Sequence, residues 1–123
     1  MVVRLRQGQD FEQLLERSKT NPVLIFKHST QCAISDQAYE EFDRFVKSQP
    51  TQPGPTQPGP TAGELICGLV LVIENPDVSN AIAARLGVEH ESPQAILIKN
   101  GKSKWNASNW SITAEALMEA MRN

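Results

Sequence analysis

Apolar residues recur along this chain in two patterns. The first has the three-to-four-residue spacing of an amphipathic helix, which buries one stripe of side chains against a core. The second is a short continuous apolar run, which is typical of a strand buried on both faces. In chain order these patterns predict an edge strand 2–5, helix 10–18, strand 23–27, helix 35–48, strand 65–73, helix 78–86, strand 95–99, strand 102–105 and a helix after Thr113.

Turn and capping residues mark the ends of several of these elements. Asp10 is predicted to cap the first helix, Gly87 to end the third helix and Thr113 to cap the last one. Asn100-Gly101 predicts a hairpin turn between the last two strands. In the second helix the charged positions, Glu41 among them, are expected to face solvent. The element order predicts an α/β protein with a mixed sheet sandwiched by helices, similar to the thioredoxin architecture.

One segment, at about 49–63, fits neither pattern. Pro50-Thr51-Gln52-Pro53-Gly54 is repeated at 55–59, and a degraded third copy follows at 60–63. Proline removes backbone donors and glycine adds chain entropy, so we expect a solvated, flexible insert within a single domain spanning 1–123. A polyproline II ligand for an aromatic groove is the alternative interpretation.

Composition and charge exclude several classes of function. The net charge of −2 gives no case for nucleic-acid binding, which needs a basic face, and no apolar stretch approaches the roughly 20 residues of a membrane span. The first residues lack the apolar core of a secretory signal, and two cysteines do not suggest a disulfide framework. We therefore expect a cytoplasmic protein. We also expect no bound metal, because no Cys or His pair has the spacing of metal ligands.

Cys32 is the principal candidate for chemistry. It lies between the strand at 23–27 and the helix that follows, where a helix N-terminus presents unpaired N–H groups and partial positive charge. That environment favours the thiolate, the form that attacks disulfides. The polar residues Ser29, Thr30 and Gln31 before it argue against burial, and the first two offer capping oxygens. A reactive cysteine is favoured over a buried, inert one.

Ser35 occupies the position of the second thiol in a Cys-x-x-Cys motif. A hydroxyl cannot resolve a mixed disulfide, but it can donate a hydrogen bond to the thiolate, cap the helix, or do both. A lone nucleophile points to reversible capture of a small-molecule thiol. Cys67, inside the apolar strand, is expected to be a small buried hydrophobe, with a resolving thiol as the less favoured interpretation.

A second candidate block precedes the strand at 95–99. The Ser92-Pro93 peptide bond is a candidate for the cis form, which X–Pro bonds adopt in about 5–6% of folded cases. His90 either forms a surface pair with Glu91 or lies beside the thiolate as an electrostatic or proton partner.

Both blocks resemble one family. The run 27–35 is similar to the active-site stretch of the YtxJ-like bacilliredoxins, which carry a Thr-Cys-Pro-Ile-Ser motif. The block 90–94, followed by a strand, Asn100-Gly101 and Trp105, resembles the same family in the same order. The resemblance covers nearly the whole chain outside the insert. It departs at two positions, where Gln31 replaces the threonine of the motif and Ala33 its proline.

The resemblance implies a thioredoxin-like, monothiol protein that removes bacillithiol from mixed disulfides on cytoplasmic proteins. Cys32 would be the nucleophile and Ser35 its supporting hydroxyl, with no bound cofactor and with bacillithiol as co-substrate. The substrate contacts would lie at Thr30, Gln31, His90, Ser92 and Pro93, with Pro93 in the cis form. A generic glutaredoxin-like exchanger that uses glutathione and a non-catalytic binding module of the same fold are the alternatives.

Overall fold

The computed structural model describes residues 2–49 and 63–122. The insert predicted at about 49–63 lies outside the described residues except at its two ends, so its flexibility stays a prediction. Within the described part, no helix is both long enough and apolar enough to cross a membrane.

The described residues form five strands, four α-helices and one short 3₁₀ turn. In chain order they are β1 (Val2–Arg4), α1 (Gly8–Arg17), β2 (Val23–His28), α2 (Ala33–Lys47), β3 (Ile66–Leu71), α3 (Pro76–Leu86), β4 (Gln94–Lys99), β5 (Lys102–Ser108), the 3₁₀ turn Asn109–Ser111 and α4 (Ala114–Arg122). The predicted element order is therefore confirmed, and the boundaries differ by one to three residues.

All five strands lie in one mixed sheet with the order β1-β3-β2-β4-β5. The β3 strand pairs in parallel with β1 and β2, while β4 pairs antiparallel with both β2 and β5. Every residue of β2 is buried, as expected for a central strand covered on both faces. The chain leaves this strand directly into the loop that carries Cys32.

Two apolar clusters, one on each face of the sheet, hold the helices in place. One packs α2 and α4 against residues such as Phe26 and Leu97, and the other packs α1 and α3 against residues such as Ile25 and Ile96. Successive side chains of a strand point to opposite faces. Lys27 therefore lies on the α3 side of β2 and His28 on the α2 side, as their hydrogen-bond partners confirm.

The predicted stop and turn signals are confirmed, but the predicted cap of α1 is wrong. Gly87 ends α3 with φ of 67°, and the Asn100-Gly101 turn joins β4 to β5. The Thr113 hydroxyl accepts a bond of 3.0 Å from Ala116 N–H. Asp10 is not the N-cap of α1; it lies three residues inside, and its carboxylate accepts the backbone N–H of the actual N-cap, Gln7, at 3.0 Å.

Glu41 is buried, against the prediction that it faces solvent. Its carboxylate accepts the backbone N–H of Ala114 at 3.0 Å, at the start of α4, and it pairs with Arg44 on its own helix. An acidic side chain at a helix N-terminus meets unpaired N–H groups and partial positive charge. Glu41 therefore joins α2 to α4 across the α2 side of the sheet.

Candidate active site

Cys32 is the N-cap residue of α2, at the active-site end of β2. Its backbone is extended, with φ of −130° and ψ of 124°, and its carbonyl accepts the N–H of Asp36 at 3.0 Å. The side chain is partly exposed and, within the described residues, has no hydrogen-bond partner. The predicted junction is confirmed, although α2 begins at Ala33 and Cys32 itself, not Ser29 or Thr30, is the capping residue.

Ser35 lies in the first turn of α2 and is completely buried. Its Oγ accepts the backbone N–H of Ser29 at 2.9 Å and lies 2.7 Å from Nδ1 of His28. This hydroxyl therefore ties the loop before Cys32, the end of β2 and the start of α2 together. Ser35 is the third residue after the N-cap, Cys32, so both belong to the first turn of α2, but no hydrogen bond joins their side chains in the structure.

Replacing Ser35 with alanine should lower the free energy of unfolding by about 1–3 kcal/mol, because the buried His28 Nδ1 and the partly buried Ser29 N–H lose their partner. Urea unfolding at pH 7 measures this loss. The exposed Ser111 provides a control, since Ser111→Ala should change stability by less than about 0.5 kcal/mol. Equal stability of Ser35→Ala and the wild type would contradict the structural role of these two bonds.

His28 is a buried aromatic group rather than a solvated base. Its ring stacks on Tyr39, with centroids 4.8 Å apart, and lies 5.8 Å from the ring of Phe26. Burial lowers the pKa of His28, and the nearby carboxylates of Asp36 and Glu74 oppose this only in part. The imidazole is therefore neutral at pH 7, with one nitrogen donating and the other accepting.

The predicted cis peptide bond between Ser92 and Pro93 is confirmed. The Pro93 carbonyl accepts the N–H of Asn109 at 3.1 Å, and the Gln94 side chain donates to the Glu89 carbonyl at 3.0 Å. The next residue, Gln94, pairs with Lys27 of β2, so this loop lies at the same end of β2 as Cys32. The Ser92 hydroxyl oxygen is buried and has no hydrogen-bond partner among the described residues.

The remaining predicted site residues lie on the two loops that carry Cys32 and Pro93. Thr30 and Gln31 are exposed on the loop between β2 and Cys32. His90 has an exposed side chain whose Nδ1 lies 3.0 Å from Ser79 Oγ and 3.2 Å from Lys27 Nζ. Its contacts are thus with α3 and β2, on the sheet face opposite α2. A role for His90 beside the thiolate stays a prediction.

Cys67 is the small buried hydrophobe that the sequence predicts. It is 3% exposed in β3, and burial raises the pKa of its thiol to about 12. It pairs with Leu24, four residues before the end of β2 at His28, which is about 13 Å along the strand. A disulfide needs Cα atoms within about 7 Å, so Cys67 is not placed to resolve a disulfide at Cys32.

Two site features were missed from the sequence. One is Lys27, whose side chain lies beneath the His90 loop and which the sequence pattern places only at the end of a buried strand. The 3₁₀ turn Asn109–Ser111 packs beside the start of α2, where Trp110 is 67% exposed and lines a shallow cavity of about 170 Å³ together with Gln37. The turn interrupts a polar stretch without periodicity, so no sequence signal marks it. No cluster of side chains within residues 2–49 and 63–122 could hold a metal ion.

Comparison with known structures identifies the class of protein. A protein described as a candidate oxidoreductase with a thioredoxin fold matches with a TM-score of 0.79 and 30% identity, over 97% of this chain and 92% of the other. Thioredoxins from Fasciola hepatica and Trypanosoma brucei brucei match at 18% and 12% identity, with TM-scores of 0.69 and 0.71. These two matches cover 98% and 99% of this chain, and 96% and 88% of the thioredoxins. The fold and the partly exposed cysteine at the start of α2 define a thioredoxin-fold thiol–disulfide oxidoreductase.

Within that class the sequence identifies a narrower group. Residues 3–117 match the family model of the monothiol bacilliredoxin BrxC. The chain belongs to the monothiol bacilliredoxin family. This confirms the resemblance read from the two sequence blocks, and thiol–disulfide exchange follows as the reaction class.

Proposed function

We propose that this protein removes bacillithiol from mixed disulfides on cytoplasmic proteins by a monothiol cycle at Cys32. One observation carries the proposal: a partly exposed cysteine caps α2, and the position of a resolving thiol holds the buried Ser35. The family supports bacillithiol as the co-substrate. Free thiols at both cysteines suit a reducing compartment such as the cytoplasm.

The first step is a thiolate attack on the mixed disulfide. The Cys32 thiolate attacks the bacillithiol sulfur, a new S–S bond forms between these two atoms, and the original S–S bond breaks. The electron pair leaves with the sulfur of the substrate protein, which is released as a thiolate and takes a proton from water. The helix N-terminus at Cys32 provides N–H groups and partial positive charge that favour the attacking thiolate.

The structure contains no hydrogen bond between the Ser35 hydroxyl and Cys32, so such a bond to the thiolate would form only during the reaction, and it would depend on the proton of the His28 imidazole. A hydroxyl has one proton and two lone pairs, and the Ser29 N–H already occupies one lone pair. When the His28 proton is on Nδ1, the ring donates to Ser35 Oγ and leaves the hydroxyl proton free for the Cys32 sulfur. When the proton is on Nε2, the hydroxyl proton is committed to Nδ1. The thiolate therefore favours the Nδ1–H form of His28.

The second step needs a thiol from outside the protein. Cys67 is buried and pairs with the opposite end of β2, so the Cys32 adduct persists until a free thiol arrives. The thiolate of free bacillithiol attacks the bacillithiol sulfur of the adduct, forms the symmetric disulfide and releases Cys32 as a thiolate. Each turnover thus exchanges disulfide bonds without net oxidation or reduction.

The substrate is proposed to lie along the edge formed by the loop before Cys32 and the cis-proline loop. Pro93 faces the nucleophile in thioredoxin-like proteins, and the Ser92 backbone is available to pair with the substrate chain. Thr30 and Gln31, both exposed, border the other side of this edge. The partners are accordingly bacillithiolated proteins and a low-molecular-weight thiol.

Intact-protein mass spectrometry tests this proposal. The protein is incubated with a bacillithiolated model protein and, in parallel, with the same protein carrying glutathione. We expect one bacillithiol to move to Cys32, to remain there, and to be lost when free bacillithiol is added. Equal transfer of glutathione would replace the proposal with generic exchange. The absence of any adduct would overturn it and favour a thioredoxin-fold binding module.

A further inference from the structure

Lys27 lies buried beneath the loop that carries Pro93, and the exchange chemistry does not use it. It is 0% exposed, and its backbone pairs with Gln94, the residue after Pro93. Its Nζ donates to the Ser79 carbonyl at 3.1 Å and lies 3.2 Å from Nδ1 of His90. The ammonium group thus joins β2, α3 and the cis-proline loop.

This charge is held without an acidic partner. Within residues 2–49 and 63–122, no carboxylate forms an ion pair with Lys27. Burial lowers the pKa of Lys27 to about 8, so the group is still mainly an ammonium at pH 7. Burying a charge without a counter-charge is costly, and such groups cluster at functional sites.

The ammonium determines which nitrogen of His90 carries the proton. Nδ1 lies within hydrogen-bond distance of Lys27 Nζ and of Ser79 Oγ, at 3.2 and 3.0 Å. An ammonium has donors only, so Nδ1 must accept. Desolvation and the charge of Lys27 lower the pKa of His90, against the opposing charge of Glu91, so the ring is neutral at pH 7. Its proton is therefore on Nε2.

The same contacts fix the orientation of the His90 ring. Nδ1 points toward the buried ammonium, and the side chain as a whole is exposed, so Nε2–H lies on the solvent side. His90 is two residues before Ser92, whose backbone is proposed to pair with the substrate chain. A polypeptide paired there would run past His90, and its carbonyl oxygens would be the acceptors for an outward N–H.

We propose that Lys27 is a positioning residue that holds His90 in the Nε2–H form, so that Nε2–H donates to a backbone carbonyl of the protein substrate beside the disulfide. The proposal rests on the exchange function proposed above. It assigns to Lys27 and His90 the recognition of the polypeptide rather than of the small thiol.

Histidine nitrogen chemical shifts test the first part without any substrate. In two-bond ¹H–¹⁵N correlation spectra at pH 7, we expect wild-type His90 to show a protonated Nε2 and an unprotonated Nδ1. Lys27→Met should convert this pattern into a mixture of tautomers, whereas Ser79→Ala, which keeps the carbonyl that binds Lys27, should preserve it. A protonated Nδ1 in the wild type, or an unchanged pattern in Lys27→Met, would overturn the proposal.

Kinetics test the second part with a matched pair of variants. His90→Asn keeps an inward acceptor at the Nδ1 position but loses the outward donor, while His90→Gln places an amide N–H at the Nε2 position. We expect His90→Asn and Lys27→Met to raise KM for a protein mixed disulfide about 3- to 10-fold, as for one lost hydrogen bond, and His90→Gln to raise it less than about twofold. The KM for a small symmetric disulfide should stay within about twofold of wild type in all three.

Two readouts separate the possible failures. The alkylation rate of Cys32 by iodoacetamide should be unchanged in each variant, which shows an intact fold and nucleophile. A wild type that accepts no adduct refutes the exchange function, while the spectra still decide the role of Lys27. A wild type that exchanges normally, with His90→Asn and Lys27→Met equal to it for the protein substrate, refutes the positioning role alone.

Discussion

Replacing Cys32 with serine is expected to abolish removal of bacillithiol from a mixed disulfide, slowing it at least about a thousandfold, to the rate of uncatalysed exchange. A serine hydroxyl stays protonated at neutral pH and cannot form the S–S bond of the adduct, although it is nearly isosteric and can cap α2. Initial rates of release of the substrate thiol, followed by mass spectrometry, measure the effect.

The second cysteine provides the control for this experiment. Cys67→Ala should retain the wild-type rate within about twofold, because Cys67 is 3% exposed and burial raises the pKa of its thiol to about 12, which keeps it from reacting. Persistent exchange in Cys32→Ser, or loss of exchange in Cys67→Ala, would contradict a monothiol cycle at Cys32.

Much of the fold follows from local pattern because each element has its own signal. The apolar run at 23–27 predicts β2, and helical spacing predicts α2, since burial of one face or of both faces imposes a period on the sequence. Gly87 and Asn100-Gly101 mark backbone with positive φ, which few other residues adopt readily. These are short-range constraints, so a few neighbouring residues are enough to predict them.

The errors in the sequence prediction have long-range or subtle local causes. The helical spacing places Glu41 on the solvent side of α2. The start of α4, 73 residues later in the chain, packs against it, and the Ala114 N–H donates to the Glu41 carboxylate. Asp10 resembles a cap, but it reaches back to the true cap, Gln7, whose side chain gives a weak signal. Sequence spacing alone does not locate a partner contributed by another element.

The candidate site also has features that local sequence predicts and features that depend on contacts with other elements. The position of Cys32 at the start of α2 and the cis bond at Pro93 are predictable from local sequence and family resemblance. The partners of Ser35 are not, because its contact with His28 depends on how the end of β2 packs against α2. The polar environment of Lys27 could have been predicted, because a lysine within a strand that is buried on both faces requires polar partners.

Lys27→Met is expected to raise the free energy of unfolding at pH 7, because the cost of burying the ammonium disappears. The pKa of Lys27 falls from 10.5 to about 8 on folding, so below pH 8 the wild type bears the full penalty, on the order of 3 kcal/mol. Loss of the bonds to Ser79 and His90 offsets part of it, and we expect a net gain of about 1–3 kcal/mol. Urea unfolding at pH 7 measures this gain.

The pH dependence distinguishes a charge effect from better packing. Between pH 8 and 10.5 the unfolded chain holds a proton at Lys27 that the folded protein has lost, so wild-type stability rises with pH relative to Lys27→Met. The advantage of the variant should therefore shrink by pH 9.5. The raised pKa of Cys67 has the opposite effect in both proteins and cancels in their difference.

Lys102→Met, at an exposed hairpin position, should differ from wild type by less than about 0.5 kcal/mol at both pH values. If the free energy of unfolding of Lys27→Met exceeds that of the wild type by the same amount from pH 7 to 9.5, the gain comes from packing. The buried ammonium would then not destabilise the folded protein.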